Sequence, residues 1–413
     1  MNRRQFLVSA GSTALAASTS SALAQAAPPV SRKNALPRSA PVILNPTGTS
    51  VTILLAVAEP STGWVEYGST EALGQRWREL ANGQLPLEEQ LLRFHLTGLA
   101  PAQRYFYRIC TRAVRFDHPA SPRVDEVQTT KPGVFQTLGP AVPTASFTVW
   151  NDTHENTTTL KAVAESLRQQ PTDFLMWNGD LTNDLKQPDD VIRHFVINDG
   201  NAFADRTPVF LGRGNHDVRG RYARDLPKTL SGPDGRFYYA FRHGPLACVV
   251  LDTGEDKPDN HPSYGGLVNF AAYREEQREW LAGIVEQSWF KSAPFRIAFP
   301  HIPLVWDAEV PANWPGVWGP GIKGWICEDG YARWNALLTR AKIDLVISGH
   351  THHAAYFPPN KNHSYAQLIG GGPKPDIATI ITAQATAKQL TVKTTDLAGK
   401  ILFENHFLPA APV

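Results

Sequence analysis

Five times between residues 146 and 353 a short apolar run stops at a cluster of Asp, Asn and His. "SFTVW" leads into "NDTH", "DFLMW" into "NGD", "PVFLG" into "RGNHD", "FRIAF" into "PH" and "IDLVIS" into "GHTHH". Short runs of this kind suit strands buried on both faces, as in a sheet covered by helices. Open sheets of that type collect functional side chains beyond the carboxyl ends of their strands. A single Asp or His at a strand end is ordinarily a cap or a satisfied structural residue. Five in succession require an architecture that brings five strand ends to one edge. A sixth run, "ACVVLD", ends in Asp252 and Thr253 and is not needed as a ligand site.

Helical segments fall between some of these strands. In "TTTLKAVAESLRQQ" one stripe holds Leu160, Val163, Ala164 and Leu167, and "REEQREWLAGIVEQ" repeats the device with Trp280, Leu281 and Ile284. The pattern predicts a layered α/β domain over residues 145–408, its last strands completing a sheet edge. Residues 41–133 differ: "SVTILLAVA", "GWVEYGS", "LLRFHLTGL" and "RYFYRIC" are short strands separated by turn residues, which predicts a small all-β sandwich. "KPGVFQTLGPAVPTA" reads as the linker. With 413 residues, two domains with separate cores are expected.

The first 26 residues, "MNRRQFLVSAGSTALAASTSSALAQA", have a basic start, a mildly apolar middle and a small-residue cut site at Ala22-Leu23-Ala24. They read as an export signal, and Arg3-Arg4 before Phe6-Leu7 resembles the twin-arginine type, whose machinery would be a partner during transit. Cleavage leaves no stretch able to span a bilayer and brings the formal charge from +2 to 0. That balance argues against a stable nucleic-acid partner, which calls for a clustered basic excess. Cys110, Cys248 and Cys327 are few and far apart, so no essential disulfide is expected, and Cys248 reads as a small buried hydrophobe.

The clusters supply imidazole, carboxylate and neutral Asn amide, and no thiolate. That is the inventory of a site for two cations about 3.5 to 4 Å apart, which also needs a bridging carboxylate. It suits two divalent or trivalent ions such as Zn, Mn or Fe better than a structural zinc site. In an extended segment, residues i and i+2 share a face, so Asp152 with His154, and His350 with His352, would point into one site while His353 faces away.

The order D-x-H, G-D, G-N-H-D, H, G-H-x-H resembles the calcineurin-like metallophosphoesterases across residues 152–352. The resemblance implies a four-layer αββα sandwich. It also implies one metal on Asp152, His154, Asp180 and His352, and a second on Asp180, Asn215, His301 and His350, with Asp180 as the bridge. The implied reaction is hydrolysis of a small-molecule phosphate ester by a hydroxide shared between the metals. His216 would stabilise or protonate the leaving oxygen, and Asp217 would orient the His216 ring. Mono- and diesters are both compatible, and a catalytically silent binding or scaffold protein of the cell envelope is the alternative.

"LTGLAPAQRYFYRI" resembles the tyrosine corner of fibronectin type III modules, with Leu99, Pro101 and Tyr105 in place, and the whole stretch resembles the N-terminal domain of purple acid phosphatases. Those phosphatases place an iron-binding tyrosine three residues after the bridging Asp and lack the His154-type ligand. Here that position is Asn183, so a tyrosine-ligated iron centre is not expected, and Asn183 and Asp184 read as a solvated turn. Arg213 is either a phosphate contact or a paired strand-end arginine. Of Trp306, Trp314, Trp318 and Trp325, which follow His301, most are expected to pack the loop, with a role at the site entrance as the other reading.

Overall fold

The structure is a computed structural model that describes residues 37–310 and 322–409; the expected export signal and Trp314 and Trp318 lie outside the described residues. Two sheets stack face to face. The first runs, in spatial order, Ile401–Phe407, Leu390–Asp396, Thr379–Thr386, Thr144–Trp150, Phe174–Asn178, Val209–Gly212, Val42–Leu44, Ser50–Ala56 and Leu91–Thr97. The second runs Tyr239–His243, Leu246–Leu251, Phe295–Pro300, Leu345–Ser348, Ala366–Ile369 and Ala355–Phe357. Thr144–Trp150, Phe174–Asn178 and Val209–Gly212 are parallel neighbours, as are Phe295–Pro300 and Leu345–Ser348. Within each sheet the polar clusters therefore leave their strands at one end, and the Asn178 side chain, donating to the Ile347 carbonyl at 3.1 Å, joins the two ends.

Aromatic side chains fill the space between the sheets. Phe147, Phe174 and Phe210 from the first meet Phe241 and Phe299 from the second, and the rings of Phe210 and Phe241 stack at 4.0 Å. Each such side chain removed from water stabilises the fold by about 1.5–3 kcal/mol. The outer faces are closed by helices. Thr157–Gln169 buries Leu160, Val163, Ala164 and Leu167 as its periodicity predicts, and the Asn156 side chain caps it by accepting from Thr159 N–H at 3.1 Å. Phe270–Ile284 and Glu328–Arg340 cover the second sheet through Leu281, Trp334 and Leu338, with Trp280 and Ile284 half-buried against the same core. The result is the expected αββα layering.

The N-terminal strands enclose a core of their own and also cover part of a neighbouring one. Val42–Leu44 pairs in parallel with Val209–Gly212, so one sheet of the sandwich continues the first sheet of the stacked pair. Val42, Leu44, Leu54 and Ala56 join the core that holds Trp150 and Trp177, while Ile43, Val51, Ile53 and Leu55 face the other way, into the sandwich. Strands apolar on both faces must be covered on both. The expected linker also holds a strand, Gly133–Gln136, whose Phe135 is buried in the sandwich. At the head of Arg104–Arg115 the Tyr105 hydroxyl accepts a hydrogen bond from Ala100 N–H at 2.9 Å, the geometry of a tyrosine corner. Cys110, Cys248 and Cys327 are buried and free.

Candidate metal centre

Two buried carboxylates occupy the middle of the shared edge. Asp152 accepts His350 N–H at 2.9 and 2.8 Å on its two oxygens, and Asp180 Oδ1 accepts His216 N–H at 2.9 Å. The other sides of both face imidazoles. Asp180 Oδ2 stands 3.3 Å from His154 Nε2 and 3.2 Å from His301 Nε2; Asp152 Oδ1 stands 3.6 Å from His352 Nε2 and 3.8 Å from His301 Nε2. Asn215 Oδ1 lies 2.8 Å from His350 Nδ1. Every residue expected as a ligand is at this edge. Donor atoms close to within 4.8 Å in three sets: Asp152 with His154 and His352; Asp180 with His301 and His350; and His154 with Asp180 and His216.

The residues fit a cation by their hydrogen bonding as well as their proximity. His301 Nδ1–H donates to the Asn178 carbonyl at 2.8 Å, and its Nε2 is buried with no hydrogen-bond partner. Asn183 donates through Nδ2 to the His154 carbonyl, so its Oδ1 accepts from His154 Nδ1–H at 3.2 Å and His154 Nε2 is turned toward Asp180. His350 is tied at Nε2 to the Gly324 carbonyl at 2.7 Å. Outward hydrogen bonds of this kind fix ligand tautomers and present the remaining nitrogen to a metal. The field agrees: burial opposes charge on His301 and His154, yet Asp180 and Asp152 outweigh it and raise them to about 10 and about 9. Burial, reinforced by His301, brings His350 down to about 4, so its ring stays neutral and able to coordinate.

Backbone strain is concentrated at the same residues. Asp152, His154, Asp180, His350 and His352 have φ of 51°, 43°, 50°, 69° and 57°. That region costs a non-glycine residue roughly 1–2 kcal/mol and persists where surrounding contacts impose it. The expectation from extended alternation is corrected accordingly. His350 and His352 converge because each sits in the left-handed region, and His353 belongs to none of the donor sets. His301 is fully buried while the His352 side chain is 37 % exposed, so the centre opens to solvent on the His352 side.

Two further expectations, for Asp217 and Asn183, need revision. Asp217 does not touch the His216 ring; its carboxylate accepts from the backbone N–H groups of Leu181, Thr182 and Gly214 at 3.0, 3.2 and 2.9 Å and so fixes the loops that carry Asp180 and Asn215. Burial, then Asp180, raises its carboxyl to about 6. Asn183 is the joint of the site, its side chain on His154 and its carbonyl accepting His216 Nδ1–H at 2.8 Å. Its position three residues after Asp180 was the only sequence signal for that role. Arg213 is the paired alternative, bound to Asp252 at 2.6 Å and lying over Phe237. Among the described tryptophans, Trp306 packs on Phe357 with ring centroids 5.0 Å apart.

A layered sandwich with this donor set at one strand edge defines a metal-binding protein of the phosphoesterase class. The chain belongs to the calcineurin-like phosphoesterase family, whose sequence model matches residues 145–354. No curated protein matches the chain by sequence. Its fold is similar to that of the purple acid phosphatase PPD1 from yellow lupin (Lupinus luteus) seeds, with a TM-score of 0.63 at 13% identity over 89% of this chain and 74% of that one. It is also similar to the structure of PhoD, with a TM-score of 0.57 at 14% identity over 88% of this chain and 92% of that one. Among the described residues no helix is long and apolar enough to cross a membrane.

Proposed function

We propose that this protein is an exported hydrolase of phosphate esters that works through a dinuclear metal centre. The observation that carries the reading is the pair of buried carboxylates, Asp152 and Asp180, ringed by histidines whose second nitrogens are tied outward. Asp152, His154, Asp180 and His352 would hold one ion, and Asp180, Asn215, His301 and His350 the other. Two such cations supply Lewis acidity to phosphoryl oxygens and lower the pKa of a shared water toward neutrality. The chain's own residues do the rest. Asp217 keeps the two ligand loops in register, Asn183 sets the His154 and His216 rings, and His216 stands beside Asp180 and His154 to meet the ester's leaving oxygen. The twin-arginine-like start supports export and periplasmic or secreted location, and the Tyr105 corner supports a fibronectin type III-like N-terminal module.

The test is an assay of purified, metal-quantified protein against an aryl phosphate monoester and the matching diester. Hydrolysis of either that disappears in Asp180→Ala is the expected result. Metal-loaded protein inert toward a broad phosphoester panel would overturn the reading in favour of a binding role.

A further inference from the structure

Arg219 lies four residues beyond Asn215, where the short turn His216–Val218 ends. Its Nε reaches the two oxygens of Glu255 at 3.1 and 3.2 Å, and its Nη2 reaches Glu255 Oε2 at 2.8 Å and Asp256 Oδ1 at 3.1 Å. Both carboxylate side chains are almost fully buried, 3 % and 2 % exposed, with further contacts to the Asp256 carboxylate and to the Glu255 backbone. Lys257 and the Tyr264 hydroxyl bind Asp256 Oδ1, and Arg274 binds the Glu255 carbonyl. The clamp takes up the Nε and Nη2 donors and fixes the guanidinium plane, leaving Nη1 free to act elsewhere. Nη1 stands 3.0 Å from His216 Nε2.

His216 donates Nδ1–H to the Asn183 carbonyl, so Nε2 carries the lone pair and Arg219 donates to it. The ring is thus held at both nitrogens. We infer that Arg219, clamped by Glu255 and Asp256 and aligned by His216 Nε2, offers its remaining Nη1–H to the leaving oxygen of the ester. The inference rests on the phosphoesterase reading above. In the hydrolysis, water's oxygen bonds to phosphorus, the ester P–O bond breaks with its electron pair on the leaving oxygen, and that oxygen ends with a proton from the water. A guanidinium held in place beside it by two buried carboxylates and by the His216 ring stabilises the charge that builds there. Charge on the leaving oxygen is greatest for poorly acidic alcohols, so the arrangement matters most for alkyl esters.

The experiment compares wild type, Arg219→Ala and Glu255→Gln, each with metal quantified, on phosphate esters graded from nitrophenyl to alkyl leaving groups. Arg219→Ala should keep its metals and a KM within about threefold, and lose kcat by about tenfold on the nitrophenyl ester and about a hundredfold or more on alkyl esters. Millimolar guanidinium should restore part of the alkyl-ester loss. Glu255→Gln, which touches neither His216 nor the donor sets, should show a weaker form of the same dependence. In the metal-free protein, histidine 15N spectra should show the Nδ1–H tautomer of His216 in wild type and a mixture in Arg219→Ala. A loss equal across leaving groups, or one that follows lost metal, overturns the inference while leaving the phosphoesterase reading standing. A wild type inert toward every ester overturns both.

Discussion

Gly214 offers a sharp test of how tightly the centre is built. A Cβ placed there would lie 2.2 Å from Asp180 Oδ1 and 2.3 Å from Asp180 N, where real Cβ contacts essentially never fall below 3.0 Å. Gly214→Ala therefore forces a movement of at least 0.8 Å between the loop carrying Asn215 and the loop carrying Asp180. Ligand distances in a working metal site are held to about 0.2 Å, so this displacement exceeds the tolerance roughly fourfold. Because backbone is among the atoms met, no side-chain rotation relieves it. Overpacking of this kind costs about 1–3 kcal/mol, and disturbed support of a ligand costs about 10- to 100-fold in metal affinity. Gly214→Ala should purify folded but with substoichiometric metal, measured by elemental analysis and by metal titration of chelator-treated protein. Gly283→Ala is the control: no atom lies within 4 Å of its added Cβ, on the helix Phe270–Ile284. It should leave metal content unchanged and stabilise the fold by about 0.5–1 kcal/mol. Full metal occupancy and wild-type affinity in Gly214→Ala would refute the argument that this glycine is required by the approach of Asp180.

Asn183→Ala removes the acceptor that fixes the His154 tautomer and should weaken metal affinity by about 10- to 100-fold, read by isothermal titration. Elemental analysis should find both metals retained in His353→Ala and lost in part in His352→Ala, since only His352 lies within a donor set. Tyr105→Phe leaves the Ala100 N–H without its partner and should lower stability by about 1–2 kcal/mol in urea unfolding with metal content unchanged. Burial raises the Asp344 carboxyl to about 6, so its contribution to stability is full below about pH 4 and is lost as pH rises through 6. Asp344→Asn keeps an acceptor for Arg296 N–H; between pH 4 and 7 it should gain on the order of 2 kcal/mol relative to wild type, read from urea midpoints. A gap that does not change with pH would refute that assignment.

Much of this protein is written locally in its sequence. The helical stripe at Leu160, Val163, Ala164 and Leu167 and the apolar runs that become strands follow from side-chain periodicity, a property of neighbouring residues. The ligand inventory was equally legible, because an Asp or His that ends a buried parallel strand is carried to the sheet edge by the strand itself.

Other features depend on atoms distant in sequence. The strands of the N-terminal sandwich joined the nine-stranded sheet because both their faces are apolar, and only the tertiary fold supplied the second cover. The pairing of Arg213 with Asp252 and the turning of Asp217 toward three backbone amides were decided by which unsatisfied groups arrived within reach. So was the nitrogen each histidine presents: Asn178, Asn183 and Gly324 tie one side of His301, His154 and His350 across gaps of 26 to 123 residues. The sequence by itself determined which donors exist and on which edge they gather. The tertiary structure decided how each is aimed, because hydrogen bonds are directional and their partners come together only when the chain has folded.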